Sequence, residues 1–481
     1  MKSQRNWPSA RTVGSFVLVG GFGVFGLVSA VLAGGAEAVD LQVYRAGGTA
    51  LLEGRDLYEL PVRQDFYFTY PPFAALLFTP LSLVSGETAR ILVVLVNAAL
   101  VVFVVARTCR TLGTMETRLF TLVVITVSGA SFGLESVYSN FIDGQINLLL
   151  VALVLADLTA RTDHPARGVG VGLAAGLKLT PLVFVAYLIA TRRYQQAAVA
   201  SACAGGTVIV SFLLTPTAAA DYWLRGMFAD LGRIFADPAS RHNQSLRGLL
   251  LKNGVPQDVA LWLWPVLAAA VGIATLTLAA RAARRGEPLL GVSLCGLCAA
   301  AVSPWSWGHH WVWLVPFGVF LVWVAGQPRR RALWLPTMVL VVSSVPALLT
   351  LADPMEDGAV PAVADGPLAF VLANLYVLIF LTALVAAAVD FRAEREPSGP
   401  LARGERKVDG TAAASAGCRC DAGRSVIAAR AGQNPAYSPT GLPPHPSPAA
   451  ACPQHAHGCG ALLRRALFHL RGRLPACSDH R

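Results

Sequence analysis

Charge is scarce in this chain: 14% of its 481 residues are Asp, Glu, Lys or Arg, against 54% hydrophobic residues. Soluble globular domains carry about a quarter of their residues as charges, so that class is excluded. Acids are scarcer still, 28 against 39 Lys and Arg, leaving a net charge of +11. Such an excess would suit nucleic acid if the cations formed one patch. They lie instead in short clusters between apolar runs, where they act as topology signals, and no nucleic-acid partner is expected. Cysteines at metal-binding spacing are also missing. Cys418, Cys420, Cys452, Cys459 and Cys477 form C-x-C and C-x6-C patterns, not the C-x2-C pairs of structural zinc sites. Cys109, Cys203, Cys295 and Cys298 fall in or near apolar segments, which argues against a disulfide framework.

What the chain does have is long apolar runs and a mean hydropathy of +0.54, the signature of a polytopic membrane protein. The first run, 12–34, follows Lys2, Arg5 and Arg11 and is longer than a usual signal-peptide core, so it is expected to be retained. Further runs cover 88–107, 118–134, 144–160, 168–190, 197–214, 258–280, 288–302, 311–326, 332–350 and 366–388. Arginine clusters between them assign 107–110, 161–167, 192–193, 281–285, 329–331 and 392–395 to the cytoplasm together with the N-terminus. The opposite ends, 35–87, 135–143, 215–257, 303–310 and 351–365, then share one outer face. Segment 168–190, GVGVGLAAGLKLTPLVFVAYLIA, breaks the alternation and carries Lys178 and Pro181 in its middle. Two half-helices meeting inside the protein would restore the order, whereas a kinked helix with a snorkelling lysine would not. YPPFAALLFTPLSLV, 70–84, is short and proline-bracketed, as a re-entrant or interfacial helix would be. Residues 1–390 thus form a membrane domain, and 391–481, rich in Ala, Gly, Pro, Ser and Arg, a mostly disordered cytoplasmic tail open to a cytoplasmic partner.

This topology gathers unusual polar residues on the outer face: Asp40, Asp65, Tyr67, Glu135, Asp143, Gln145, Asn147, Lys178, Arg241, His242, Asn243, Gln244, Trp305, Trp307, His309 and His310. Each has a plain competing role. Asp40 and Asp143 would serve as helix caps, Gln145 and Asn147 as interhelical hydrogen bonders, and the histidines as members of an aromatic belt. Together they suit group transfer from a lipid-borne phosphate. Lys178, a histidine or Arg241 would neutralise the departing phosphate, a carboxylate such as Asp40 would take the proton of the incoming hydroxyl, and tryptophans would stack on sugars.

VDLQVYRAGGTALLEGRDLYE, FTYPPFAALLFTPL, DGQINLLLVALVLAD, GLAAGLKLTPLVF, HNQSLRG and SWGHHWVWLVP, in that order, resemble actinobacterial membrane mannosyltransferases of the GT-C superfamily, the polyprenyl-phosphate-mannose-dependent alpha-(1,2)-mannosyltransferase group. The resemblance runs from about 12 to 390. It implies an all-α polytopic GT-C fold of about 10 to 12 transmembrane segments with juxtamembrane helices, in the plasma membrane, with the active site outside. It implies Asp40 as the base, with Lys178, His309 and His310 facing donor phosphate or acceptor. The donor it implies is polyprenyl-phosphate mannose, and the acceptor a phosphatidylinositol mannoside, lipomannan or lipoarabinomannan. Arg241, His242, Asn243 and Gln244 are further donor or acceptor contacts, and Asp65, Tyr67, Glu135, Asp143, Gln145, Asn147, Trp305 and Trp307 supporting ones. Neither cofactor nor metal is expected, because a monophosphate donor can be held by protein cations alone. The alternatives are transfer of an arabinofuranosyl or glucosyl group on the same scaffold, and transport of a lipid-linked substrate.

Overall fold

In a bilayer every backbone N–H and C=O must be satisfied within the protein, so apolar runs of this length become helices. The computed structural model describes residues 38–59, 62, 66–160, 164–234, 237–345 and 366–393, all within the unit 1–402. The apolar run 12–34, the loop 351–365, Asp65 and the tail from 394 lie outside the described residues.

The described elements begin with α1 (Val39–Leu52) and α2 (Pro72–Ser82), which pack on each other, and the long α3 (Gly86–Leu112). Ser85 caps α3 by accepting the Thr88 N–H at 3.1 Å, with Glu87 in the first turn and Arg110 in the last, both complementing the helix dipole. Next come α4 (Thr117–Ser131), α5 (Glu135–Ile142), α6 (Asn147–Leu158), α7 (Val169–Leu177), α8 (Val183–Ala190) and α9 (Tyr194–Leu214). A loop of short turns leads to α10 (Leu246–Lys252), α11 (Gln257–Arg284) and α12 (Pro288–Val302). After the 3-10 turn Gly308–Trp313 follow α13 (Leu314–Ala325), α14 (Pro328–Val342), α15 (Pro367–Ala373) and α16 (Leu375–Ala393). Among the described residues there is no β-strand, only an isolated bridge at Phe66.

Among the described residues five helical spans are long and apolar enough to cross a membrane, and a sixth is added if α4 and α5, bent by 73°, are one span. The protein is therefore an all-helical membrane protein. Its helices sort by burial. In α11 only 11% of the most apolar window is buried, leaving Trp262, Val266 and Ile273 exposed as a lipid-facing surface. The shorter α12 is enclosed along nearly its whole length, from Leu289 to Ala301.

The segment 168–190 is broken as expected. Its α7 stops at Leu177, Lys178 is extended at φ −154 and ψ 139, and a 3-10 turn over Thr180–Leu182 restarts the helix as α8. The early glycines have a further role. A Cβ on Gly172 would run into the Ala200 carbonyl, and one on Gly176 into Thr207, so they let α7 lie directly against α9. At the opposite end of α12 from the Trp305 turn, Arg330 joins three elements: it bonds Glu287 at 2.8 Å and Asp390 at 2.6 Å, while Trp334 Nε1 donates to Asp390 at 3.2 Å.

Candidate active site

The DGQIN turn and the first turn of α1 are clipped together by backbone. The Leu41 N–H donates to the Asp143 carbonyl at 3.0 Å. Gly144, at φ +72, backs onto Leu41 so closely that an added Cβ would lie 2.7 Å from the Leu41 Cβ. This clip brings the carboxylates of Asp40 and Asp143 to one place. It also replaces the helix-cap readings of both acids. The residue preceding α1 is Ala38, which makes no side-chain cap, and Asp40 lies within the first turn. Asp143 ends α5, while the residue capping α6 is Ile146, again without a side-chain bond.

Beside this pair a hydrogen-bonded chain runs from Tyr44 to Lys178. Tyr44 OH donates to Gln145 Oε1 at 2.9 Å, and Asn147 Nδ2 donates to the same oxygen at 3.1 Å. Asn147 Oδ1 in turn accepts from Lys178 Nζ at 3.0 Å. The broken helix thus delivers its lysine to a site built by the DGQIN turn. His310 Nε2 lies 2.9 Å from Lys178 Nζ, and Tyr70 presents its ring 5.5 Å from the ammonium.

The histidine turn is held from behind. Asn140 Nδ2 donates to the His309 carbonyl at 3.0 Å. Tyr376 donates to Glu135 and stacks on Trp311 at 5.3 Å between ring centroids. His309 Nδ1 faces Asp143 Oδ2 at 3.4 Å, while its buried Nε2 has no hydrogen-bond partner. Ligand atoms of Asp40, Asp143 and His309 all lie within 4.8 Å of one another, so this donor set fits a small divalent cation as well as a shared proton.

Asp40, Asp143, Gln145, Lys178, His309 and His310 line an open cavity of about 310 Å³, whose wall also includes Phe66, Tyr67, Tyr70, Trp305, Trp307 and Arg233. A narrow crevice of about 20 Å³ shares Lys178, Thr180 and His310 with it and is otherwise lined by mainly apolar residues, Phe184, Val312 and Trp313 among them. Burial pushes the Asp40 carboxyl above the usual range; His309 opposes that shift and Asp143 adds to it. Burial likewise raises Asp143 to about 6. A raised carboxyl pKa suits a group that must accept a proton near neutrality.

Of the residues expected from the sequence, Asp40, Tyr67, Asp143, Gln145, Lys178, Trp305, Trp307, His309 and His310 all line the cavity. Asn147 lines the crevice. Glu135 supports the turn from behind. Arg241, His242, Asn243 and Gln244 are not in the lining. Asn243 Oδ1 accepts from the Ser306 N–H at 3.2 Å and the Gln244 N–H donates to the Ser306 carbonyl at 2.7 Å, so this pair fastens the 241–248 loop to the tryptophan turn. His242 is exposed, its ring 6.0 Å from that of Trp307. Sequence reasoning passed over Arg233, Phe66 and Tyr70. The aromatic repeat F-Y-F-T-Y at 66–70 was a readable signal for two of them, whereas Arg233 stands in no pattern.

A lipid-facing helical shell around a cavity of carboxylates, lysine, histidines and tryptophans defines a membrane-embedded enzyme with room for sugars. The family model described as Glycosyltransferase family 87 matches residues 68–304. A Mycobacterium tuberculosis polyprenol-phosphate-mannose-dependent alpha-(1-2)-phosphatidylinositol mannoside mannosyltransferase is 32% identical over 309 residues, 61% of this chain and 72% of that protein. The Mycolicibacterium smegmatis protein of the same name is 35% identical, covering 62% and 72%. A Mycobacterium tuberculosis alpha-(1-2)-phosphatidylinositol pentamannoside mannosyltransferase with the same donor dependence is 35% identical over 73% of this chain and 82% of its own length. The chain belongs to glycosyltransferase family 87.

Proposed function

We propose that this protein transfers mannose from polyprenyl-phosphate mannose to a hydroxyl of a phosphatidylinositol mannoside, inverting the anomeric carbon to give an alpha-(1,2)-mannoside. The observation that carries this reading is the position of Lys178, on the boundary between a polar cavity that holds Asp40 and a largely apolar crevice. A polyprenyl phosphate has that same division, a charged head on an apolar chain.

The reaction is a single displacement. Asp40 takes the proton of the acceptor hydroxyl as its oxygen attacks C1 of mannose, and the bond from C1 to the phosphate oxygen breaks with its electron pair leaving on the phosphate. Lys178, with His310 beside it, neutralises that charge. His309 and Asp143 sit beside Asp40 and tune it. Tyr67, Trp305 and Trp307 offer ring faces to the sugars. With no covalent sugar intermediate, one base suffices. We assign no step to a metal, because the donor's single phosphate meets a protein cation directly.

The setting of this reading is a GT-C fold of about 10 to 12 transmembrane segments in the plasma membrane, with both termini cytoplasmic and the cavity facing outward. Residues 1–390 carry the chemistry. The tail 391–481 takes no part in it and is free to meet a cytoplasmic partner. Lipomannan and lipoarabinomannan are the alternative acceptors for the same chemistry.

The test is transfer of radiolabelled mannose in lipid nanodiscs from polyprenyl-phosphate mannose to a phosphatidylinositol mannoside, by wild type and Asp40→Asn matched for folding and donor binding. Transfer by wild type and its loss in the variant are expected. Persistence in Asp40→Asn would move the base elsewhere. An inactive wild type that accepts arabinosyl or glucosyl lipids would replace the donor.

A further inference from the structure

The cavity holds a second cation that the proposed displacement does not use. Arg233 ends the 3-10 turn Leu231–Arg233 in the loop between α9 and α10 and lines the same cavity as Asp40 and Lys178. Its guanidinium carbon lies 4.3 Å from the centroid of the Tyr67 ring, and one Nη donates to the Tyr58 carbonyl. Its Nε is buried without a hydrogen-bond partner. Among the described residues no carboxylate forms an ion pair with it. A guanidinium fixed on an aromatic ring and making no ion pair among the described residues is a preorganised seat for a planar or tetrahedral oxyanion.

Two cations in one cavity raise the question of which anion each meets. Lys178 lines both the cavity and the apolar crevice, whereas Arg233 lines the cavity alone. The phosphate of a polyprenyl donor is tied to an apolar chain and belongs where the crevice opens, at Lys178. The anion left for Arg233 is one that does not continue into that crevice. A phosphatidylinositol mannoside brings such an anion, its own phosphodiester.

We infer that Arg233, held against Tyr67, binds the phosphodiester of the acceptor lipid, so that the enzyme selects a short phosphatidylinositol mannoside whose phosphate and reacting mannose occupy one cavity. This rests on the mannosyl transfer proposed above. In a pentamannoside acceptor, several sugars separate the terminal mannose from the phosphodiester, and the two would not share the cavity. The inference thus chooses between the two acceptor lengths named for the relatives.

The experiment compares wild type, Arg233→Gln and Arg233→Lys in nanodiscs. It uses polyprenyl-phosphate mannose as donor and three acceptors: a phosphatidylinositol dimannoside, a phosphatidylinositol pentamannoside and octyl alpha-mannoside, which has no phosphate. The expected result is a rise of about tenfold in the KM for the dimannoside relative to that for octyl mannoside in Arg233→Gln, with partial recovery in Arg233→Lys. Wild type should prefer the dimannoside to the pentamannoside. An unchanged KM ratio would overturn the inference, as would an effect confined to the donor KM, which would assign Arg233 to the donor phosphate. A wild-type preference for the pentamannoside would overturn the acceptor length. A wild type that transfers mannose to octyl mannoside but loses nothing at the dimannoside through Arg233→Gln fails this inference alone. One that transfers mannose to none of the three fails the proposed function and this inference with it.

Discussion

The two ends of α12 border two buried polar clusters built on opposite plans. At the Pro288 end, Arg330 meets Glu287 and Asp390 at 2.6–2.8 Å, and Trp334 donates to Asp390. Its charges are matched and the cluster bridges three helices. Beyond the Val302 end, Asp40, Asp143, Lys178 and His309 surround open space, and His309 Nε2 has no partner. A satisfied buried network holds helices in place, while an incompletely satisfied one beside a cavity is completed by a ligand. The first is a structural lock and the second a reaction site.

This contrast can be broken from either side. The largest effect is expected at Asp40. Asp40→Asn should lower kcat by about 10²- to 10⁴-fold in the mannosyl-transfer assay, with the thermal unfolding profile in nanodiscs close to wild type. A large loss of thermal stability with activity kept would make Asp40 structural instead. The lock should behave in the reverse way. Arg330→Met leaves Glu287 and Asp390 as uncompensated buried acids, at a cost of about 3–5 kcal/mol, read as an earlier unfolding midpoint. The fraction that remains folded should keep its KM values. A selective loss of turnover without loss of stability would join the two clusters functionally.

A smaller effect separates Asp143 from Asp40. Burial first, and Asp143 in addition, raise the Asp40 pKa in the folded protein. The base form is present above that pKa and is lost as pH falls through it, so the acid limb of kcat/KM lies above the usual carboxylate range. Removing the Asp143 charge in Asp143→Asn should move that limb to lower pH; a limb that stays in place or moves upward would separate the two carboxylates. The smallest effect is expected from chelation. EDTA should leave turnover unchanged, and activity lost in EDTA but restored by Mg²⁺ or Mn²⁺ would put a cation on Asp40, Asp143 and His309.

Much of the helical layout was legible because hydrophobic run length and Gly and Pro placement are local signals. The runs 88–107, 197–214 and 258–280 became α3, α9 and α11, and the short proline-bracketed stretch at 70–84 became α2. The break at Lys178 was also legible, since Pro181 follows a run of small residues. The role of Asp143 was not. An acid directly before a helix looks like a cap in sequence, but here the turn is occupied by the backbone bond to Leu41, and the side chain faces His309. Glu135 was legible as a supporting acid near the site and not as the partner of Tyr376, 241 residues away.

By itself the sequence determined that this chain lives in a membrane, where its helices run, and which polar side chains accompany them, because hydropathy and helix-breaking residues act over a few neighbours. Only the tertiary structure decided which of those polar groups meet. Asp40, Asp143, Lys178 and His309 come from four distant segments, and contacts across such separations depend on how helices pack. The same packing turned Asn243 and Gln244 into fasteners of a loop and set Arg233, an unremarked arginine in the chain, on the wall of the cavity.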